Sequence, residues 1–229
     1  MTNLTLRSKL LLVSILMGLL IIFLVLSYRE QALPPAPSIN GFVLVQPKLL
    51  PDFILTDQQH NPFERKDLFG KWHIISYGYT HCPDICPTTL LSLSRLNQRL
   101  HKESLNNDVI FAFYTIDPER DTVNILSKYL GYFSDDFIGL KASDNTNFLP
   151  FEQSLGIKVK FKNKVQGSRV YEVSHGMALY LVNPEAKLQA VVLPKVEESG
   201  IKAFDSEKLF TDYLKVKKYY DNKKINQKT

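Results

Sequence analysis

Cysteine is scarce in this chain: there are two among 229 residues, four positions apart. That excludes a scaffold stapled by disulfides, and a lone close pair is more typical of redox or metal chemistry. No internal repeat is visible. A generally basic surface is missing too. The net charge of +5 resides in residues 215–229, where six lysines meet the single acid Asp221, and the rest of the chain sums to zero. This speaks against a nucleic-acid binder. A short basic end is more often a solvated terminus than a binding patch, contact with anionic lipid headgroups being the minor alternative. Hydrophobic content of 45% and charged content of 22% lack the signature of disorder and suit one domain of ordinary size plus appendages.

Charge is absent from Leu10 to Leu26, an apolar run weakened only by Ser14 and Gly18. As a helix it would rise about 26 Å, nearly the thickness of a hydrocarbon core. It has no polar face with which to lie on a protein core. Arg7 and Lys9 precede it. Arg29 and Glu30 follow, and no further charge occurs before Lys48. The positive-inside rule then puts the N-terminus in the cytoplasm and the remainder outside. No small-x-small cleavage site follows closely and no cysteine is near for lipid attachment, so the segment reads as an uncleaved anchor. Pro34, Pro35, Pro37, Pro47 and Pro51 resist helix and favour an extended, semi-rigid spacer. The expected organisation is a cytoplasmic N-terminus over 1–9, an anchor over 10–27, a Pro-rich linker over 28–48, a globular domain over 49–216 and a basic tail over 217–229.

Within that domain Trp72–Tyr79 predicts a strand, rich in β-branched and aromatic residues. Pro87 suits the first turn of a helix that carries Leu90, Leu93, Leu96 and Leu100 on one side. Val109–Ile116 predicts a strand buried on both faces. Asp121 is expected to cap a helix through Tyr132. Phe137–Leu140 predicts a short strand, and Phe148–Leu155 a short helix ended by Gly156. Met177–Val182 and Leu188–Leu193 predict a hairpin, and Ser206 to about Tyr220 a last helix. This order is that of an α/β sheet, partly parallel, with helices on both faces.

The chemistry lies in Tyr77-Gly-Tyr-Thr-His-Cys-Pro-Asp-Ile-Cys-Pro87. A buried strand ends there and a helix begins, a position that favours ligand binding and lowers thiol pKa. Residues four apart on a helix face the same way, and two soft sulfurs suit Cu(I). A dithiol redox motif more often has two intervening residues, so the spacing leans toward metal and leaves redox open. Two sulfurs rarely complete a copper site. Of the five histidines, His60 and His101 fall at solvated positions, His73 lies inside a strand, and His81 adjoins Cys82 too closely to converge with it on one ion. His175 precedes a buried strand. Taken by itself, a lone histidine of this kind is more often structural than a ligand.

The chain resembles the SCO/SenC family, copper proteins needed to assemble cytochrome c oxidase. Four blocks carry the resemblance: Gly70–Trp72, Tyr77–Pro87, Thr115–Thr122 (Thr-Ile-Asp-Pro-Glu-Arg-Asp-Thr) and Val173–Val182 (Val-Ser-His-Gly-Met-Ala-Leu-Tyr-Leu-Val). It implies an α/β, thioredoxin-like fold with a β-hairpin insertion, preceded by one N-terminal transmembrane helix. It also implies one copper per chain, as Cu(I) or Cu(II), on Cys82, Cys86 and His175. Asp117 and Asp121 would lie near the site as supporting residues, not ligands. The implied partner is cytochrome c oxidase subunit II or another copper-relay protein, met at the outer membrane face in the bacterial periplasm or the mitochondrial intermembrane space. Many members carry Asp directly before the ligand histidine, whereas this chain has Ser174.

Two functions compete on these residues. A metallochaperone would bind copper and hand it over by exchange of thiolate and imidazole ligands. A thiol–disulfide oxidoreductase would use Cys82 to attack a partner's disulfide and Cys86 to resolve the mixed species. A peroxide-reducing enzyme lacks any mark beyond the thiols. Structural zinc usually takes four protein ligands where only three stand out.

Overall fold

The computed structural model describes residues 6–30, 35–143, 148–165, 169–196, 200 and 202–226. They fall into a larger unit, Ala36–Lys218, and a smaller one that takes in the N-terminal helix and the end of the C-terminal helix. The N-terminal helix, α1, spans Leu6–Glu30. Its Leu6–Val25 stretch has a mean hydropathy of 2.6 and none of it is buried, so α1 is a candidate transmembrane span by length and composition.

The larger unit is built on one eight-stranded sheet. Its strands are β1 (Gly41–Leu49), β2 (Ile54–Asp57), β3 (Pro62–Glu64), β4 (Trp72–Gly78), β5 (Val109–Thr115) and β6 (Phe137–Ala142). A separate two-stranded ladder, β7 (Val159–Lys162) with β8 (Glu172–His175), follows, before β9 (Leu179–Asn183) and β10 (Lys187–Val192) rejoin the sheet. The spatial order is β1-β10-β9-β4-β5-β6-β2-β3. The central β4, β5 and β6 run parallel, and the other pairings are antiparallel.

The helices are α2 (Ile85–Lys102), α3 (Val123–Gly131), α4 (Leu149–Leu155) and α5 (Ser206–Asn226). Side chains alternate across a strand, and the central strands use both sides. Trp72 meets Tyr213 of α5 edge-on at 5.9 Å, and Phe113 meets Tyr129 of α3 at 6.0 Å. On the opposite face Tyr114 packs on Phe151 of α4 at 5.2 Å, which in turn packs on Phe53 at 4.8 Å. The leucine row of α2 at 90, 93, 96 and 100 is fully buried. α4 ends as expected at Gly156, whose φ of 71° is the left-handed conformation that a Cβ disfavours.

Four expectations need correction. The linker placed over 28–48 is shorter, because Gly41–Leu49 pairs with β10. Pro47 is tolerated there because β1 is an edge strand whose register with β10 breaks between Val43 and Lys48. The basic tail placed over 217–229 is helical through Asn226. The cap of α3 is Thr122, whose hydroxyl accepts from Ile125 N–H, while Asp121 is engaged elsewhere. The strand expected from Met177 starts at Leu179.

His73 lies inside β4, fully buried against Phe63. Its Nδ1 lies 3.2 Å from the Lys71 carbonyl, which can only accept, and Nε2 has no partner among the described residues. Burial disfavours the imidazolium and lowers the pKa from 6.5 to about 4. Between these values the unfolded chain binds a proton that the folded chain refuses. Stability therefore falls as pH drops through that window, by up to roughly 3 kcal/mol. Urea unfolding of wild type and His73→Gln between pH 7 and 4 tests this: the variant's stability should decline less steeply, and parallel curves would disprove the assignment.

Candidate metal centre

Three side chains converge at the C-terminal edge of the central strands. Cys82 lies in the loop after β4, Cys86 in the first turn of α2, and His175 ends β8. Their ligand-capable atoms all lie within 4.8 Å of one another. Cys82 is half-buried, Cys86 is buried, and the sulfurs are not bonded to each other.

The backbone explains the cysteine pair. Helix α2 starts at Ile85, which puts Pro87 in its first turn as expected, and its capping residue Asp84 makes no side-chain cap bond. The Cys82 sulfur takes that role instead, accepting the Cys86 N–H at 3.4 Å. Pro87, next in the helix, has no N–H to leave unsatisfied. Cys86 in turn packs against Gly78, the last residue of β4. Any Cβ at position 78 would collide with its sulfur and crowd the ring of Phe113 at 3.3 Å. The glycine is therefore required by close approach.

The two thiols differ sharply. Cys86 donates to Cys82, and with help from His175 and the N–H groups of Cys86 and Asp84 this lowers the Cys82 pKa from 9.0 to about 4. Cys86 is pushed up, first by its own donation to Cys82, then by burial and by the neighbouring sulfur's charge. At neutral pH the pair is one thiolate and one thiol.

His175 is oriented by its own neighbour's backbone. Its Nδ1 lies 2.6 Å from the Gly176 carbonyl, which can only accept, so Nδ1 carries a hydrogen and Nε2 is the ring nitrogen left to face the sulfurs. Tyr77 and Tyr79 hold the ring, with centroids 5.4 and 5.9 Å away. The sequence reading passed over both tyrosines. Their spacing of two at the end of β4, which places them on one face, was the available signal.

Asp117 and Asp121 are buried, and both support the site through hydrogen bonds. Asp121 accepts from Thr80 N–H at 3.0 Å, Thr80 Oγ1 at 2.6 Å and Thr115 Oγ1 at 2.5 Å, fixing the loop that leads to Cys82. Asp117 accepts from Tyr171 Oη at 2.5 Å and from Arg120 Nε. The Arg120 guanidinium also donates to the Tyr171 carbonyl at 3.1 Å and stacks over the Tyr171 ring at 3.9 Å. Tyr171 immediately precedes β8, so this clamp ties the strand that bears His175 to the loop between β5 and α3. The other histidines stand apart. His81 turns Nδ1 to Thr80 at 3.1 Å and to Asp121 at 3.8 Å. His101 contacts Asp136 at 3.1 Å, and His60 is exposed.

Residues 44–205 match the SCO1/SenC family model. The chain belongs to the SCO1/SenC family. An SCO2-like protein of Rickettsia felis is 33% identical over 181 residues, covering 76% of this chain and 83% of that protein. The crystal structure of Arabidopsis thaliana ScoI with copper bound superposes with a TM-score of 0.62 at 28% identity, over 74% of this chain and 98% of that one. Yeast Sco1 with copper bound gives 0.62 at 26% identity, over 73% and 87%. The fold is accordingly thioredoxin-like, with the β7–β8 ladder standing outside its main sheet.

Alkylation of the metal-free, reduced protein by iodoacetamide tests the thiol assignment. The Cys82 rate should stay nearly constant from pH 8 to about 5 and fall only near pH 4. Cys86→Ala should shift that titration upward, while Cys86→Ser, which keeps a donor, shifts it less. A wild-type rate that climbs tenfold per pH unit between 6 and 8 would refute the assignment.

Proposed function

We propose that this protein is a copper metallochaperone that holds one copper, as Cu(I) or Cu(II), on the sulfurs of Cys82 and Cys86 and on Nε2 of His175. The observation that carries the reading is the convergence of these three donors within 4.8 Å. Copper is the cargo. Two thiolates suit Cu(I), and the imidazole adds a nitrogen donor that Cu(II) prefers. Loading requires Cys86 to give up its proton, so uptake should be accompanied by proton release. The acceptor, on this proposal, is the binuclear copper site of cytochrome c oxidase subunit II. Membership of a family that includes copper-bound ScoI and yeast Sco1 supports the cargo.

The proposal extends to placement. Residues 1–9 lie in the cytoplasm, α1 anchors the chain in the membrane, and the globular domain stands on the outer face, in the periplasm or the intermembrane space. Arg7 and Lys9 ahead of the apolar helix support that orientation.

A second reading draws on the sulfur pair itself. A half-exposed thiolate at Cys82 backed by a buried thiol at Cys86 is the arrangement of a dithiol reductant. Such an oxidoreductase would prepare the partner's cysteines for copper.

Titration with Cu(I) and Cu(II) against competing chelators separates the readings. Wild type should bind one equivalent, and His175→Ala should lose at least about tenfold in Cu(II) affinity, or 1.4 kcal/mol, while retaining disulfide reduction. Equal, weak copper binding by the two proteins, with reductase activity intact, would hand the function to the second reading.

A further inference from the structure

The β7–β8 hairpin carries an unusual charge pattern. Between residues 157 and 176 there are five cations, Lys158, Lys160, Lys162, Lys164 and Arg169, and one acid, Glu172. In the β7–β8 ladder Val159 pairs with His175, Lys160 with Ser174, Phe161 with Val173 and Lys162 with Glu172. Side chains alternate between faces, so Lys160 and Lys162 share one face with Ser174 and Glu172, while Val159, Phe161, Val173 and His175 share the other. His175 therefore comes from the inner side of a strand pair whose outer side is lined with lysine.

Lys158 and Lys160 have little to neutralise them, while Lys162 stands opposite Glu172, the only acid on this stretch. Lys158, Lys160 and Lys162 are exposed and form no ion pair among the described residues. Lys164 pairs with Glu119 at 2.8 Å and lies over the Phe161 ring at 4.4 Å. The residue opposite Lys160 is Ser174, which brings no carboxylate. The platform is also held in place. Phe161 packs edge-on against Tyr171 at 5.8 Å, and Tyr171 is gripped by Arg120 and Asp117. A fixed, one-sided row of cations at the rim of a site sets up a positive potential that attracts an acidic surface.

We propose that the outer face of the β7–β8 hairpin, with Lys158, Lys160 and Lys162 at its centre, docks an acidic protein surface on the copper acceptor. This deepens the copper-transfer reading and rests on it for the acceptor's role. The lysine row draws in a partner that carries Asp and Glu beside its receiving site, and the opposite side of the same strands offers the ligand to be exchanged. Partners without that acidity approach more slowly.

Docking can be read without metal. The full-length, metal-free protein is placed in phosphatidylcholine nanodiscs. Fluorescence anisotropy then follows its binding of a labelled peptide of alternating Asp and Gly and of the matching Asn and Gly peptide. The acidic peptide should bind at least about tenfold tighter at low salt, and the preference should vanish at high salt. The variant Lys158→Glu, Lys160→Glu, Lys162→Glu should abolish it. The variant Lys71→Glu, Lys102→Glu, Lys128→Glu changes the net charge equally at exposed lysines elsewhere and should retain it. Equal binding of the two peptides overturns the proposal, as does equal loss in both variants. Hairpin-dependent binding to phosphatidylglycerol vesicles without peptide binding also overturns it, in favour of a lipid surface. No copper enters this measurement, so a failed copper titration and a failed docking test are separate results.

Discussion

A buried carboxylate needs hydrogen-bond donors, and the donors Asp121 finds organise the functional end of the domain. It is wholly enclosed, and no Lys or Arg side chain bonds it among the described residues. Its oxygens are satisfied by the amide and hydroxyl of Thr80 and the hydroxyl of Thr115. Thr115 ends β5, and Thr80 lies just beyond β4. One carboxylate thus pins two neighbouring parallel strands and the loop between β4 and α2. The loop cannot then wander, and Cys82 comes to rest over the start of α2. With the amide of Cys86 satisfied by sulfur, the helix begins without a side-chain cap from Asp84, and Gly78 leaves room for Cys86 beneath.

The inequality of the two thiols follows from that placement. The sulfurs are held close enough for one to donate to the other, and the helix amides lie on the Cys82 side. The negative charge gathers on the half-exposed sulfur, and the proton stays with the buried one. The same asymmetry serves an incoming metal ion and an incoming disulfide: each meets the thiolate first and needs the second sulfur only afterwards. This is why the cysteine geometry alone sustains both readings, and why the imidazole is the group that separates them.

Much of this was legible in the sequence. The apolar run, the strand–loop–helix around the cysteines and the leucine row of α2 are local patterns, and they reappear as α1, β4 and α2. The three candidate ligands converge as the resemblance implied. What was not legible depended on long-range pairing. Residues 41–48 looked like linker because Pro34, Pro35, Pro37, Pro47 and Pro51 favour an extended spacer, yet an edge strand tolerates a proline where its register breaks. Asp121 looked like a helix cap because acids commonly serve there. Its engagement with Thr80, forty-one positions away, could not be read from local sequence. Tyr171 and Arg120 meet across 51 residues by the same kind of folding. The lysine alternation over 158–164 was in plain view, but it was hidden inside a sum of zero for everything outside the C-terminal segment.

The candidate ligands belong to two separate pieces of β structure. The cysteines hang from the main sheet, whereas His175 hangs from a two-stranded ladder that, among the described residues, has no strand pairing to that sheet. A histidine so supplied is positioned only as well as its ladder is fixed. Arg120 does that fixing. It bonds Asp117 at the end of β5, the backbone of Tyr171 ahead of β8 and the face of the Tyr171 ring. Tyr77 and Tyr79 then hold the imidazole itself. The block Asp-Pro-Glu-Arg-Asp is therefore two devices in one stretch: Asp121 sets the sulfurs, and Asp117 with Arg120 sets the nitrogen. The two halves of the site also meet: Tyr77 and Tyr79 come from β4 and the loop that leads to Cys82, yet they pack on the imidazole, and Tyr79 Oη reaches the Val173 carbonyl of β8. The strand that bears the nitrogen is thus registered against the loop that bears the sulfurs.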